Sequence, residues 1–365
     1  MHFELPRYAA PDFLTEQLAK APDARLIPVD IAGVAPDQFH ANTIFPEYFK
    51  LDGVWHLAVE SRMDCVTVAV PEPETKWKLE VKEFRRLALG DLVVVGRTED
   101  ASEGIFVHVD GFRGESTGAD VFAFRTGRSR ETSYSRDYDR LYELLRHEKD
   151  NGHVVWVLGP ATVFDSDSRS AFVSLINKGY VHAVFGGNAL ATHDMEGSFF
   201  RTALGQDIYT QVSQPNGHYH HLDVINAARR AGSLKALRQT GKIAGGVVDA
   251  CLAHDIPLIL AGSIRDDGPL PGVIADVYAA QDAMRVEVRK ATTVLGLATQ
   301  LHSIATGNMT PSYRMVNGQL RPVYIYSVDV SEFAVNKLRD RGTLEVTSIV
   351  TNIQDFLVNL ERNLP

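Results

Sequence analysis

From residue 153 onward the chain alternates short, almost unbroken apolar runs with stretches of helical length, and this constrains the fold more than any other feature. The runs fall at 153–158, 180–185, 256–261, 292–298, 323–328 and 346–350. A strand that is apolar on both faces needs cover on both faces, which parallel strands obtain from crossover helices. Residues 222–231, 234–253 and 273–290 are long enough to supply them. The expected fold is α/β, a doubly wound, mostly parallel sheet.

The preceding 125 or so residues read differently, with short β-rich runs at 55–59, 64–70, 91–95 and 105–109 separated by Gly, Pro and acidic turns. A small barrel or sandwich is implied. Tyr138, Leu141, Leu144 and Leu145 then take helical spacing in a helix expected to end near Gly152. The boundary is placed between the two, giving a β-rich, barrel-like substrate or oligomer subdomain over 1–130 and the doubly wound domain over 131–365. Residues 310–322, with Pro311, Asn317, Gly318 and Pro322, read as a surface excursion.

A chain of 365 residues accommodates two domains. Its formal net charge of -9 disfavours a general nucleic-acid binder, because phosphate neutralisation needs a basic footprint. A small-molecule partner is expected. Cys65 and Cys251 stand far apart with no C-x-x-C spacing, so neither a disulfide framework nor a thiolate metal site is indicated, and a reducing cytoplasm fits. No apolar h-region opens the sequence and no run of about 18 apolar residues occurs, so neither export nor membrane spanning is expected.

The chemistry concentrates in two loops that follow expected strands: GGNALATHDME at 186–196 and AGSIRDDGPLP at 261–271. Open α/β sheets bind ligands beyond the carboxyl ends of their strands. Asn188, His193, Asp194, Glu196, Arg265, Asp266 and Asp267 should therefore share one rim. His193, Asp194 and Glu196 fall within one helical turn, close enough for an imidazole oriented by a carboxylate; a solvated first turn is the competing account. Arg265 between prolines and carboxylates is equally compatible with a rigid, salt-bridged turn. His302, between an expected strand and helix, faces the same edge or is a satisfied core histidine. His218, His220 and His221 lack the i, i+4 spacing of a helical zinc pair, and no metal is expected. No G-x-G-x-x-G or P-loop follows any strand. Asp329 closes VYIYSVD where a carboxylate can accept from a ribose diol, or else caps the next helix.

These strings, with HLDVINAARRAGSLK, LHSIATGN and DRGT, resemble the lysine-oxoglutarate reductase/saccharopine dehydrogenase (LOR/SDH) conserved-domain family. It includes NAD-dependent ornithine cyclodeaminases of the second type and the C-terminal half of certain arginine dihydrolases. The resemblance is strong over about 150–365. It is weaker over about 40–130, where TIFPEYFKLDGVW, RMDC and GDLVVVG carry it.

The resemblance implies a Rossmann-like domain that holds NAD without a glycine fingerprint. Its contacts would be Asn188, Ala189, Asp267, Thr299, Gln300, Leu301 and His302, with Asp329 on the ribose and Asn352 and Ile353 closing the site. The family usually has Asp where this chain has Asn352, and RMVNGQLRPV stands as an insertion. The family's extra ferredoxin-like N-terminal subdomain has no counterpart in the sequence, so substrate or oligomer contacts are expected to differ.

The expected activity is redox-neutral conversion of L-ornithine to L-proline and ammonia, which needs a carboxylate anchor, a proton carrier and a dry site. Arg265 is the candidate anchor, with Asp194 or His193 as proton carrier. Asp64 would hold the distal ammonium, and Asn42 and RMDC would close over the nicotinamide. A homo-oligomer is expected. An NAD-dependent oxidoreductase of another amino acid or ketimine, and a non-catalytic NAD-binding protein, stay open.

Overall fold

A computed structural model describes residues 4–113, 135–266, 268–331 and 343–365. Between residues 25 and 107 the chain forms two separate antiparallel sheets. One orders its strands Arg25–Pro28, Leu92–Val95, Val66–Glu72, Lys76–Lys82; the other runs Val54–Leu57, Glu47–Leu51, Ile105–Val107. Both sheets send side chains into one core containing Phe49, Leu51, Leu79, Val94 and Ile105. Cys65 is buried in it, and burial pushes its thiol above the ordinary value. The arrangement is two facing sheets.

The rest of the chain builds the larger sheet, whose elements are numbered here from its first helix. They are α1 (Ser135–Asn151), β1 (Val154–Leu158), α2 (Ser166–Asn177), β2 (Ala183–Gly187), α3 (Asn188–Phe200), α4 (Gly217–Ala231), α5 (Leu234–Gln239) and α6 (Val247–Ala253). There follow β3 (Leu258–Ala261), α7 (Val277–Val288), β4 (Thr293–Leu297), α8 (Gln300–Met309), β5 (Tyr324–Asp329), β6 (Glu345–Val350) and α9 (Ile353–Asn363). Every pairing is parallel and the order is β3-β2-β1-β4-β5-β6. This is the order of dinucleotide-binding doubly wound sheets, with its switch point between β1 and β4. Trp156, Leu295 and Tyr326 pack one face against α1, α2 and α9, while Val155, Val294 and Ile325 pack the other with Met284 and Val288 of α7. That two-sided cover is why the strands read as unbroken apolar runs.

Two expectations need correction. Residues 234–253 form two helices, because Gly241, Gly245 and Gly246 between them take left-handed φ angles of 75°, 76° and 95°, which end a helix. Residues 310–322 form a hairpin, Tyr313–Val316 with Gln319–Pro322, turned by Asn317 and Gly318 at φ 49° and 78°. It is a clasp and no surface excursion. Tyr313 is fully buried, its hydroxyl donates to the Ala58 carbonyl at 2.6 Å, and Ser312 N donates to Ser61 O at 3.0 Å. On the other side Arg321 Nη2 meets Glu148 Oε1 at 2.6 Å, and Glu148 also accepts from the Thr292 hydroxyl beside the start of β4. The hairpin thereby fixes the antiparallel sheets near the amino edge of the parallel one. No helix among the described residues is long and apolar enough to cross a membrane.

Candidate active site

The carboxyl edge opens into a cavity of about 850 Å³, walled by the ends of β1, β2 and β3, by α3 and α4, and by His302 of α8. Two glycines make the edge possible. A Cβ on Gly159 would overlap the Ala298 carbonyl oxygen, so the turns after β1 and β4 touch at the switch point only because one of them is bare. A Cβ on Gly296 would overlap Ser303, so α8 lies tight on β4, as the last glycine of a dinucleotide fingerprint allows its helix to do. Gly187 ends β2 against the cavity, where a Cβ would come within 3.5 Å of the His302 ring.

Thr299 precedes α8 and provides no side-chain cap, so the first backbone N–H groups, from Gln300 to His302, lack a capping side chain. On the next strand Asp329 is partly buried. One carboxylate oxygen accepts from Ser331 N at 2.9 Å, and the other has no partner among the described residues. Leu301 is 81% exposed beside the turn. Asn352 caps α9, its Oδ1 accepting from Gln354 N at 2.8 Å, and Ile353 is buried behind it. Asp267 lies outside the described residues.

The floor of the cavity is α3, a helix buried on all sides from Leu190 to Gly197. Asn188 opens it and does more than turn the chain: its Oδ1 accepts from Leu270 N at 2.9 Å, tying the SIRDDGPLP loop to the end of β2. Ala189 follows it at the cavity wall. One turn on, His193 Nδ1 lies 2.7 Å from Glu196 Oε2. The other Glu196 oxygen accepts from the Thr202 hydroxyl at 2.8 Å and Gly205 N at 2.9 Å. Burial alone would raise the Glu196 carboxyl, but the bonds from His193, Gly205 and Thr202 together outweigh it and hold it below the usual range. An ionised Glu196 accepts and cannot donate, so the bond between them requires a proton on His193 Nδ1. Thr202 also meets His220 Nδ1 at 2.8 Å, which extends the chain toward α4.

Opposite His193, α4 presents His221, Asn226 and Arg229, and the β3 loop presents Ser263, Arg265 and Asp266. Arg229 and Arg265 are exposed to the cavity and neither forms an ion pair among the described residues. Sequence reasoning missed Arg229 and Asn226 and weighed His221 only as a metal ligand; their signal is their position in HHLDVINAARR. His302 is held below its ordinary pKa by burial, against the pull of the Asp266 carboxylate.

Three expected participants stand elsewhere. Asp194 points away from the cavity: its oxygens accept from Arg169 Nε at 2.8 Å, Val247 N at 2.9 Å and Val248 N at 2.8 Å, so it caps α6 in full burial. Asp64 is an exposed residue of the antiparallel unit, and no described side chain of that unit lines the cavity. Asn42 is likewise remote, donating within that unit to Thr67 Oγ1 at 2.8 Å and to Glu47. Among the described residues no group of three or more His, Cys, Asp and Glu is arranged to hold a metal.

The model of the arginine dihydrolase ArgZ-like, C-terminal, Rossmann-fold family matches residues 140–360. The chain belongs to this family. It is 38% identical over 362 residues to the ornithine cyclodeaminase of Methanopyrus kandleri, covering 99% of this chain and 82% of that one. Its fold is similar to the crystal structure of a conserved LOR/SDH protein from Methanococcus maripaludis, at 34% identity and a TM-score of 0.82 over 94% of this chain and 98% of that one. It is also similar to AgrE, the bifunctional arginine dihydrolase/ornithine cyclodeaminase of Nostoc, crystallised with ornithine and NAD+. There the TM-score is 0.58 and the identity 34%, over 94% of this chain and 46% of the longer AgrE chain.

Proposed function

We propose that this family member is an NAD-dependent ornithine cyclodeaminase, converting L-ornithine to L-proline and ammonia without net oxidation. The observation that carries the reading is the His193–Glu196 pair facing two guanidiniums, with no ion pair among the described residues, across a cavity that adjoins a dinucleotide-type switch point. The name of the Methanopyrus relative and the AgrE complex with ornithine and NAD+ support it.

The residues present suit NAD. Asp329, one of whose carboxylate oxygens has no partner among the described residues, would accept from a ribose diol, and the uncapped N–H groups after Thr299 would bind a pyrophosphate. The cavity at the ends of β1–β3 would receive the nicotinamide end if Asp329 of β5 held a ribose. Bound NAD would supply the hydride acceptor and donor that make ring closure redox-neutral. Arg265 and Arg229 would hold the substrate carboxylate as charge-assisted anchors. Asp266, which lines the cavity, would hold the distal ammonium in place of Asp64. His193 Nε2 would take the proton from the substrate nitrogen, and Glu196 would stabilise the resulting imidazolium. Asn188 would keep the anchor loop in register. A cytoplasmic homo-oligomer is the setting we infer for the working enzyme.

The test is to incubate the protein with NAD and L-ornithine while following 340 nm absorbance, ammonia and proline together. The expected result is equal release of ammonia and proline against a flat trace. A steady absorbance rise would instead make it an oxidoreductase, and no ammonia from any basic amino acid would leave a binding protein.

A further inference from the structure

A second cavity, of about 510 Å³, lies between the antiparallel unit and α7, away from the carboxyl edge. Six cationic side chains line it, Arg62, Lys78, Lys82, Arg86, Arg285 and Arg289, against four carboxylates, Glu60, Glu80, Glu83 and Asp282. The surplus of two positive charges belongs to a chain whose formal net charge is -9, so it reflects local construction. Glu83 carries more than its share: Arg62 meets it at 2.8 Å, Arg85 at 3.3 Å, and Arg285 as well. Asp282 is shared by Arg85, Arg86 and Arg285.

Buried like charges are costly unless something compensates them. Arg62 is 4% and Arg285 8% exposed, and Arg285 Nε is buried with no hydrogen-bond partner. Burial, and then the neighbouring Arg62, lowers the Arg285 pKa to about 10. An anion entering the cleft would neutralise the excess carried by the lining side chains.

We propose that the cleft between the antiparallel unit and α7 binds a phosphate dianion, as a phosphate monoester of a small metabolite. A phosphate monoester carries close to two negative charges at neutral pH, matching the surplus, and offers three acceptor oxygens to guanidinium forks. The cavity exceeds a bare phosphate, which leaves space for the organic part. Bound there, the ligand bridges the antiparallel unit to α7, the helix that directly follows the Arg265 loop.

The proposal concerns binding and stands whether or not ornithine is the substrate. Calorimetric titrations with inorganic phosphate and with glucose 6-phosphate, at constant ionic strength and with NAD present throughout, test it. Saturable binding of one equivalent is expected, tighter for the sugar phosphate; equal affinity for both would assign the site to free phosphate, the same chemistry from another source. In R86Q/R289Q, which removes the surplus from two side chains about half exposed, affinity should fall by roughly tenfold or more, while Arg289→Lys retains it. Should the double variant melt before titration, Lys78→Glu serves in its place. Absence of saturable binding, or identical binding by the charge-depleted variant, overturns the proposal.

Discussion

His193 owes its form to its neighbours. Glu196 anchors Nδ1, Phe164 packs edge-on against the ring at 5.5 Å between centroids, and the cavity receives the other nitrogen. Replacing His193 with Asn should lower kcat by about a hundredfold or more, the scale of lost general base catalysis, with the NAD dissociation constant unchanged. Glu196→Gln keeps the shape but loses the anion, so a smaller fall in kcat is expected, together with a pH-dependent loss of stability. Because the folded-state pKa of Glu196 is depressed, its contribution is present above the usual carboxylate range and is lost as pH falls through the lowered value. Urea unfolding should therefore separate wild type from Glu196→Gln at pH 7, with the gap closing in acid. A gap independent of pH would show that Glu196 is not held as an anion.

At the scale of elements, helix ends decide what a residue is for. Asp194 and Asn352 both stood among the sequence candidates, and both satisfy a helix start: Asp194 that of α6 from outside the helix, Asn352 that of α9 as its own N-cap. Spacing cannot distinguish them from pocket residues, because Asp194 sits next to His193 in sequence yet one helical step, about 100°, turns it to the buried side. The strand runs from 153 onward were legible because two-sided burial writes itself as uninterrupted apolar sequence. Glu47–Leu51 was not, since its Glu47 and Lys50 are buried charges, Lys50 Nζ donating to Ala19 O at 3.0 Å and Ala21 O at 2.7 Å. Lys76–Lys82 alternates Trp77, Leu79 and Val81 with charged residues and was readable in principle. The two cavity loops were found because Gly, Asn and Pro punctuate them, whereas Arg229 lies in the last turn of α4, where a basic residue is an ordinary helix-end feature. For α9 the consequence is specific: Asn352→Ala should cost about 1 kcal/mol, while Asn352→Asp, also a good cap, should cost little. Thermal melts of the two variants check this, and equal losses would mean Asn352 stabilises the chain by some other contact.

Across the whole molecule, the antiparallel and parallel units are joined by charges buried between them. Glu148 is fully buried and Arg321 3% exposed, with the Thr292 hydroxyl as a third member. A buried pair contributes little relative to apolar residues of the same shape, yet removing one partner strands the other charge in a low-dielectric interior. Arg321→Met should therefore cost about 3–5 kcal/mol, and adding Glu148→Gln should recover much of it even though the pair is then gone. Tyr313, on the adjoining strand of the same hairpin, anchors into the antiparallel unit through Ala58, so loosening the hairpin should free that unit first. Hydrogen exchange on Arg321→Met is expected to speed at residues 47–58 before any change in β1 or β4. If the double variant is as unstable as the single one, or exchange quickens uniformly, the hairpin is not what couples the two sheets, and the ion pairs along α7 carry that role.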